Sequence, residues 1–160
     1  MRPNYPKKPD LMRFSAVLTL LILNVAAFAQ NDEDAVKATI NKMFDGIRKS
    51  DSSVIRSAFA PTAILQTIVN RRDGKTEVRT EPIDSFLVGV TQPHADVYDE
   101  RIEFKSVKID ANLAAVWTPY KFFLGDKFSH CGVNSFQLVK LNGEWKIQYI
   151  IDTRRRENCD

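Results

Sequence analysis

The chain is poor in the residues that build metal and cofactor sites. Its 160 residues include only two cysteines and two histidines, which are too few and too scattered for a structural zinc site. No glycine-rich phosphate loop and no motif for a covalently attached cofactor is present. We therefore expect neither a metal ion nor a cofactor.

A strong charge of one sign is also missing. The chain has 23 basic and 20 acidic side chains, a net charge of +3. Four of the basic residues and one of the acidic residues lie in the first 29 positions, so the remainder has a net charge of zero. The one basic run, Arg154-Arg155-Arg156, is followed by Glu157 and is interpreted as a solvated tail, with a small anion-binding patch as the alternative. No nucleic-acid partner is expected.

The one long apolar run lies near the N-terminus. Residues 14–25 are mostly apolar, follow a basic start and precede Ala27-Phe28-Ala29, an A-x-A cleavage pattern. The run is shorter than the roughly 20 residues of a transmembrane helix. These features predict a signal peptide over residues 1–29 and a single exported domain over residues 30–160, periplasmic or extracellular and without membrane contact. An uncleaved N-terminal anchor is the alternative.

Three segments have the spacing of amphipathic helices. Apolar residues recur at three- and four-residue steps over residues 33–49, and a shorter helix is predicted over residues 52–59. A third helix is predicted to begin at Pro82, which suits a first helical turn, and to end before Pro93.

The remaining segments are predicted to be strands. They cover residues 62–70, 77–80, 97–109, 113–124, 127–141 and 144–153. The last three are joined by two-residue turns at Gly125-Asp126 and Asn142-Gly143, of which the second is the stronger hairpin signal. This order predicts an α+β fold in which N-terminal helices pack on one face of a strongly curved antiparallel sheet.

The two turns also predict the strand register. The first places His130 opposite Lys121, and the second places Asn134 opposite Ile151. Because side chains alternate along a strand, one face of the sheet is predicted to meet the helices. This helix-facing set is Trp117, Phe123, Phe128, His130, Asn134, Phe136, Leu138, Ile147, Tyr149 and Ile151. The opposite set is Thr118, Tyr120, Cys131, Val133, Ser135, Gln137, Gln148 and Asp152.

His130 and Cys131 are neighbours in sequence but are predicted to point to opposite faces. A thiolate–imidazole pair is therefore not expected, unless a β-bulge near Gly132 changes the alternation. The register sets Cys131 opposite Arg154, within reach of Cys159 on the tail. A Cys131–Cys159 disulfide, worth about 3 kcal/mol, is predicted for an exported protein, with two free thiols as the alternative.

The predicted ligand-binding residues are Trp117, His130, Asn134, Phe136 and Tyr149. A few polar groups among aromatic side chains are typical of a small-molecule pocket. They are equally typical of a packed core with a polar network, so His130 is either a pocket residue or a hydrogen-bonded core residue.

A second candidate pair is His94 with Asp96, after the third helix. These residues form either an acid–base pair near the pocket entrance or an ordinary polar loop. Asp152 is expected to face away from the helices, and Asp99 to lie on a charged, wet face. No carboxylate is therefore expected to point inward.

Four short motifs resemble one known superfamily. They are a W-x-P-Y strand from Trp117, an S-H-C-G strand from Ser129, a G-x-W-K-I strand from Gly143 and a D-T-R-R-x-x-x-C ending from Asp152. The chain resembles the nuclear transport factor 2-like proteins, in particular the subgroup labelled "Putative lumazine-binding". This resemblance implies a cone-shaped fold with a cavity between sheet and helices, in a superfamily that includes isomerases, polyketide cyclases, dehydratases, binding modules and dimers.

Three functions are compatible with these observations. The first is an exported protein that binds a small apolar or aromatic molecule. The second is a cofactor-free isomerase, cyclase or dehydratase with His130, or His94 and Asp96, as the general acid–base. The third is a homodimeric interaction module that pairs through the outer face of the sheet.

Overall fold

The helices form where the apolar spacing predicts them. The computed structural model describes residues 32–159, and the predicted signal peptide lies outside this range. Helix α1 covers residues 32–48, α2 covers Ser52–Ala58 and α3 covers Ile83–Thr91. The periodic apolar residues of α1 are all buried: Val36, Ile40, Met43, Phe44 and Ile47.

Within the described residues, seven strands form one curved, open sheet. They are β1 (Phe59–Asn70), β2 (Thr76–Glu81), β3 (Tyr98–Ile102), β4 (Ser106–Asp110), β5 (Leu113–Leu124), β6 (Lys127–Leu141) and β7 (Glu144–Arg155). Their order is β2-β1-β7-β6-β5-β3, and β4 also pairs with β5. The α+β class is confirmed, but β1 runs parallel to β7, so the sheet is mixed where it was predicted to be antiparallel.

The predicted strand 97–109 is two strands, β3 and β4, that pair with successive parts of β5. Pro119 lies in β5 opposite the break. It has no N–H to donate, so the ladder cannot continue through this position. The backbone N–H groups of Glu103 and Lys105 instead donate to the carbonyls of Pro119 and Trp117.

Both hairpin turns are confirmed, but a β-bulge follows each of them. In the first hairpin Phe123 pairs with Phe128 and Phe122 with His130, so Ser129 is the extra residue. His130 therefore lies opposite Phe122, and the predicted pairing with Lys121 is wrong.

The second bulge lies between β6 and β7. Leu138 pairs with Ile147 as predicted, but Gln137 pairs with Tyr149, which leaves Gln148 as the extra residue. Beyond this point the predicted register is wrong by one residue. Because one residue of slip exchanges the two faces of a strand, the predicted facing of the rest of β7 is reversed.

Several predicted face assignments are therefore wrong. Trp117 is 50% exposed and Phe128 is 40% exposed, since β5 presents its even-numbered residues to the helices. Phe123 shares the outer face, where the Arg101 guanidinium lies over its ring. Three residues that were predicted to face outward are instead buried on the helix-facing side: Thr118, Tyr120 and Asp152.

The disulfide prediction is confirmed. Cys131 and Cys159 are bonded across 28 positions of sequence, and Cys131 is buried. Cys131 lies opposite Arg155, one residue beyond the predicted Arg154. The bond ties the C-terminal tail to the outer face of the sheet. His130 points to the other face, as predicted, although the bulge at Ser129 was not foreseen.

In residues 32–159, no helix combines the length and the apolar composition needed to cross a bilayer.

Candidate functional site

A cavity lies between helices α1 and α3 and the concave side of the sheet. Its volume is about 330 Å³. Most of its wall is apolar and includes Met43, Phe44, Phe59, Phe86, Phe122 and Ile150. We call six of the polar lining residues the polar end: Glu100, Tyr120, His130, Asn134, Asp152 and Arg154. The lining also includes Gln66, Thr67 and Glu81.

Glu100 is brought into the cavity by strand alternation. Its neighbours Asp99 and Arg101 point outward and form an ion pair with an Nε–Oδ2 distance of 2.7 Å. Glu100 therefore points inward, where Asn134 Nδ2 donates to its Oε1 at 2.7 Å. Burial raises the pKa of Glu100 to about 7, and the charge of Asp152 adds to this rise, against the opposing effects of the Asn134 bond and the Arg154 charge. Near neutral pH this side chain exchanges a proton.

Asp152 is only 8% exposed and has a full set of partners. Arg154 Nε donates to its Oδ2 at 2.9 Å, and the Tyr120 hydroxyl lies 3.4 Å from the same oxygen. The Thr67 hydroxyl donates to the other oxygen, Oδ1. Asp152 and Arg154 therefore form an ion pair in which hydrogen-bond donors occupy both carboxylate oxygens.

Tyr120 crosses the sheet above a glycine. A Cβ atom at Gly132 would lie 1.8 Å from the Thr153 carbonyl oxygen and 2.7 Å from Tyr120 Cε1, so only glycine fits beneath this ring. The Tyr120 hydroxyl donates to the Thr153 carbonyl at 2.9 Å. Burial, together with the nearby charges of Glu100 and Asp152, raises the pKa of Tyr120. It is thus a neutral phenol with a fixed position.

His130 forms an aromatic part of the polar end. Its ring centroid lies 4.9 Å from that of Phe122 and 5.8 Å, edge to face, from that of Tyr120. Its Nδ1 lies 3.1 Å from Ser129 Oγ. Burial lowers the pKa of His130, and the positive charge of Arg154 lowers it further. The imidazole is therefore neutral at pH 7.

His94 and Asp96 do not form the predicted side-chain pair. His94 Nδ1 contacts the backbone carbonyl of Asp96, and its Nε2 lies 3.2 Å from Ser50 Oγ. The imidazole stacks on Tyr98 with 4.0 Å between ring centroids. Neither residue lines the cavity, so this loop holds no acid–base pair directed at it.

The five predicted ligand-binding residues are only partly brought together. His130 and Asn134 line the cavity. Phe136 is buried in the core, edge to face with Phe44. Trp117 lies on the outer face, and the Tyr149 hydroxyl donates to Gln66 Oε1 at 2.6 Å rather than entering the cavity.

Four residues of the polar end were missed by the sequence analysis. The direction of Glu100 could have been predicted, because side chains alternate along a strand and an outward Asp99 therefore requires an inward Glu100. Asp152 and Arg154 depend on the bulge at Gln148, for which the sequence has no signal. Tyr120 was assigned to the wrong face together with the rest of β5.

No group of three or more His, Cys, Asp or Glu side chains in residues 32–159 has the geometry to hold a metal ion.

Residues 31–149 match the model of a protein family described as "Putative lumazine-binding". A search of curated proteins found no match.

Solved structures with a similar fold were also found. An NTF2-like protein of unknown function from Shewanella baltica has a TM-score of 0.63 and 18% identity, covering 79% of this chain and 96% of that one. A domain of unknown function with a cystatin-like fold from Nostoc punctiforme has a TM-score of 0.62 and 17% identity, covering 80% of both chains. A structure titled "Putative Scytalone Dehydratase" from Novosphingobium aromaticivorans has a TM-score of 0.65 and 11% identity, covering 81% and 88%. At these identities the similarity shows the NTF2-like fold alone.

Proposed function

We propose, from the premise that the chain belongs to the family described as "Putative lumazine-binding", that this protein binds a small, largely apolar or aromatic molecule in its cavity. The observation that carries the proposal is the cavity of about 330 Å³ itself. Its volume lies within the range of small-molecule sites, about 300–1,000 Å³.

The distribution of polarity supports the same proposal. Apolar side chains of α1 and α3 line one side, whereas the hydrogen-bonding groups are gathered at the polar end. Such an arrangement buries the body of a ligand and fixes its orientation through a few polar contacts. Lumazine, the bicyclic heteroaromatic molecule in the family's description, is a natural first compound to test.

Two substitutions in α3 form a matched test. Val90 lines the cavity, whereas Val88, two residues earlier, is 66% exposed. Val90→Trp places an indole in the cavity, and Val88→Trp places the same group in solvent. Native mass spectrometry of the purified proteins is expected to detect a small molecule on the wild type and on Val88→Trp, and to find it lost from Val90→Trp. If the same fraction of all three proteins carries the bound molecule, binding in this cavity is contradicted.

We also propose that the protein is exported and that residues 1–29 are removed. The support is the basic start, the apolar run and the A-x-A pattern, together with the Cys131–Cys159 disulfide, which suits an oxidising compartment. N-terminal sequencing of the protein recovered from a secreting host tests this, with Gln30 as the expected first residue.

A second candidate function is cofactor-free acid–base catalysis, with Glu100 as the proton acceptor in place of His130. The observation in its favour is a cavity carboxyl with a pKa of about 7 beside the Asn134 amide, since a general base works best when its pKa lies near the working pH. Neutral His130 and the Tyr120 phenol supply further polar contacts for a substrate.

This candidate can be tested with 2-tetralone, a small aromatic ketone whose α-protons exchange with D₂O through an enolate. NMR is expected to show exchange faster than the buffer background with the wild type and with Glu103→Gln, and background exchange with Glu100→Gln. Glu103 is a suitable control because it is exposed and paired with Lys105. Binding of the ketone without accelerated exchange contradicts catalysis and leaves binding intact.

A homodimer through the outer face of the sheet remains a prediction that is compatible with either function. The half-exposed Trp117 and, further along the sheet, the exposed Phe128 lie on that face, and aromatic side chains are enriched at the centres of protein interfaces. Sedimentation of a monomer at high protein concentration contradicts it.

A further inference from the structure

Among the residues that the structure describes, Glu100 has no cationic partner, unlike the second carboxylate of the polar end. Asp152 is ion-paired with Arg154. Within residues 32–159, the side chain of Glu100 receives one hydrogen bond, from Asn134 to Oε1, and it has no ion pair with a Lys or Arg side chain. Its second oxygen, Oε2, is thus available to a molecule in the cavity.

The charged groups around Glu100 do not neutralise it. Strand β7 contributes Asp152 and Arg154, which neutralise each other. Strands β5 and β6 contribute Tyr120 and His130, which are both uncharged at pH 7. The end of β2 adds the acidic Glu81, and the cavity-lining residues of α1 and α3 carry no charge: Met43, Phe44, Ile47, Phe86 and Val90.

We propose that the ligand of this cavity carries a protonated nitrogen at one end of an apolar body, and that the carboxylate of Glu100 is its counter-ion. This inference rests on the proposed binding function and specifies its ligand class. A cationic nitrogen neutralises the charge of Glu100 and donates a hydrogen bond to its Oε2, and a charge-assisted bond of this kind is stronger than a neutral one. The aromatic faces of Phe122 and Tyr120 also favour a cation over an anion.

The proposal has a definite pH dependence. Glu100 must be ionised to act as the counter-ion, and half of it is ionised near pH 7. A ligand that stays protonated is therefore expected to bind about tenfold more tightly at pH 8 than at pH 6. The lowered pKa of His130 moves its protonation towards the acid end of this range, where a positive imidazole would also weaken the binding of a cation. Arg154 is ion-paired with Asp152.

Three compounds with one body and different head groups test the inference. They are 2-naphthylmethylamine, 2-naphthalenemethanol and 2-naphthoic acid, whose heads are cationic, neutral and anionic. Their affinities for the full-length protein are measured by naphthalene fluorescence at pH 6 and pH 8. The proteins are the wild type, Glu100→Gln, Glu103→Gln as the matched surface control, and Val90→Trp as the blocked cavity.

The expected result is that the amine binds most tightly to the wild type and to Glu103→Gln, with about a tenfold gain from pH 6 to pH 8. Glu100→Gln is expected to lose both the preference and the pH dependence while it still binds the neutral alcohol. Retained alcohol binding also shows that this variant folds.

Two results overturn the inference in distinguishable ways. If the three compounds bind the wild type equally, or if the acid binds best, the counter-ion role of Glu100 is wrong and the binding function stands. If none binds, or if Val90→Trp binds all three like the wild type, the proposed function fails together with the inference.

Discussion

Asn134 donates a hydrogen bond to Glu100 over 2.7 Å, from strand β6 to strand β3 across the intervening strand β5. The bond positions a carboxyl group in the cavity without supplying a charge to balance it. An amide partner leaves the carboxyl free to gain or lose a proton, whereas an arginine would hold it ionised.

Glu100 is predicted to make the protein less stable as the pH rises towards 7, whereas the lowered pKa of His130 acts in the opposite direction. The pKa of Glu100 is 4.5 in an unfolded chain and about 7 in the folded protein, so between these values the folded state holds a proton that the unfolded state releases. The contribution of Glu100 to the free energy of unfolding therefore falls through this window, by at most about 3 kcal/mol, and it is constant above the window. Urea unfolding at pH 5 and pH 8 measures the difference.

Glu100→Gln is expected to remove this decrease and to be more stable than the wild type at pH 8, because a neutral amide replaces a buried charge. Glu103→Gln is the control and is expected to follow the wild type. A Glu100→Gln variant that keeps the full decrease would show that another group is responsible.

Gly132→Ala is predicted to destabilise the protein by about 2–3 kcal/mol, because its methyl group overlaps the Thr153 carbonyl oxygen and the ring of Tyr120. Gly89→Ala is the matched control. A Cβ at Gly89 in α3 has no atom within 4 Å, and alanine is favoured over glycine in a helix by about 1 kcal/mol. Thermal unfolding is expected to move in opposite directions for the two variants, and an unchanged melting temperature for Gly132→Ala contradicts the packing described.

The disulfide is predicted to stabilise the folded state by about 3–4 kcal/mol, since it closes a segment of 28 residues. The Cys131→Ala, Cys159→Ala double variant is expected to lose this amount in urea unfolding. A reducing agent is expected to destabilise the wild type and to leave the double variant unchanged. Equal stability of the two proteins without reductant would exclude a structural role for the bond.

Arg154→Gln is predicted to raise the pKa of His130, because the Arg154 charge holds that pKa down. NMR titration of the imidazole protons measures the change. Arg156→Gln is a graded control: Arg156 also lowers the pKa of His130, but by less, so a smaller rise is expected. Equal shifts in both variants would place Arg154 no closer to His130 than Arg156.

The sequence predicts the parts of the fold that depend on local signals. The spacing of Val36, Ile40 and Ile47 is a property of α1 alone, and Asn142-Gly143 specifies its own turn, with positive φ at both residues. The α+β class and the Cys131–Cys159 bond follow from such signals. The parallel pairing of β1 with β7 joins distant segments, so no local pattern indicates it.

The candidate site was harder to predict because it depends on two bulges. Ser129 and Gln148 are ordinary strand residues in sequence, and the packing of the whole sheet decides where an extra residue is inserted. Without the second bulge, Asp152 and Arg154 fall on the wrong face. The inward direction of Glu100 does not depend on a bulge. It follows from the outward position expected for Asp99, because side chains alternate along a strand.

The most direct test of the central claim is a pH titration of the Glu100 carboxyl carbon by ¹³C NMR, with and without 2-naphthylmethylamine. We expect a midpoint near pH 7 in the free protein and a lower midpoint when the amine is bound, because a neighbouring cation favours the ionised carboxyl. A midpoint near the ordinary value of 4.5, unmoved by the amine, would contradict it.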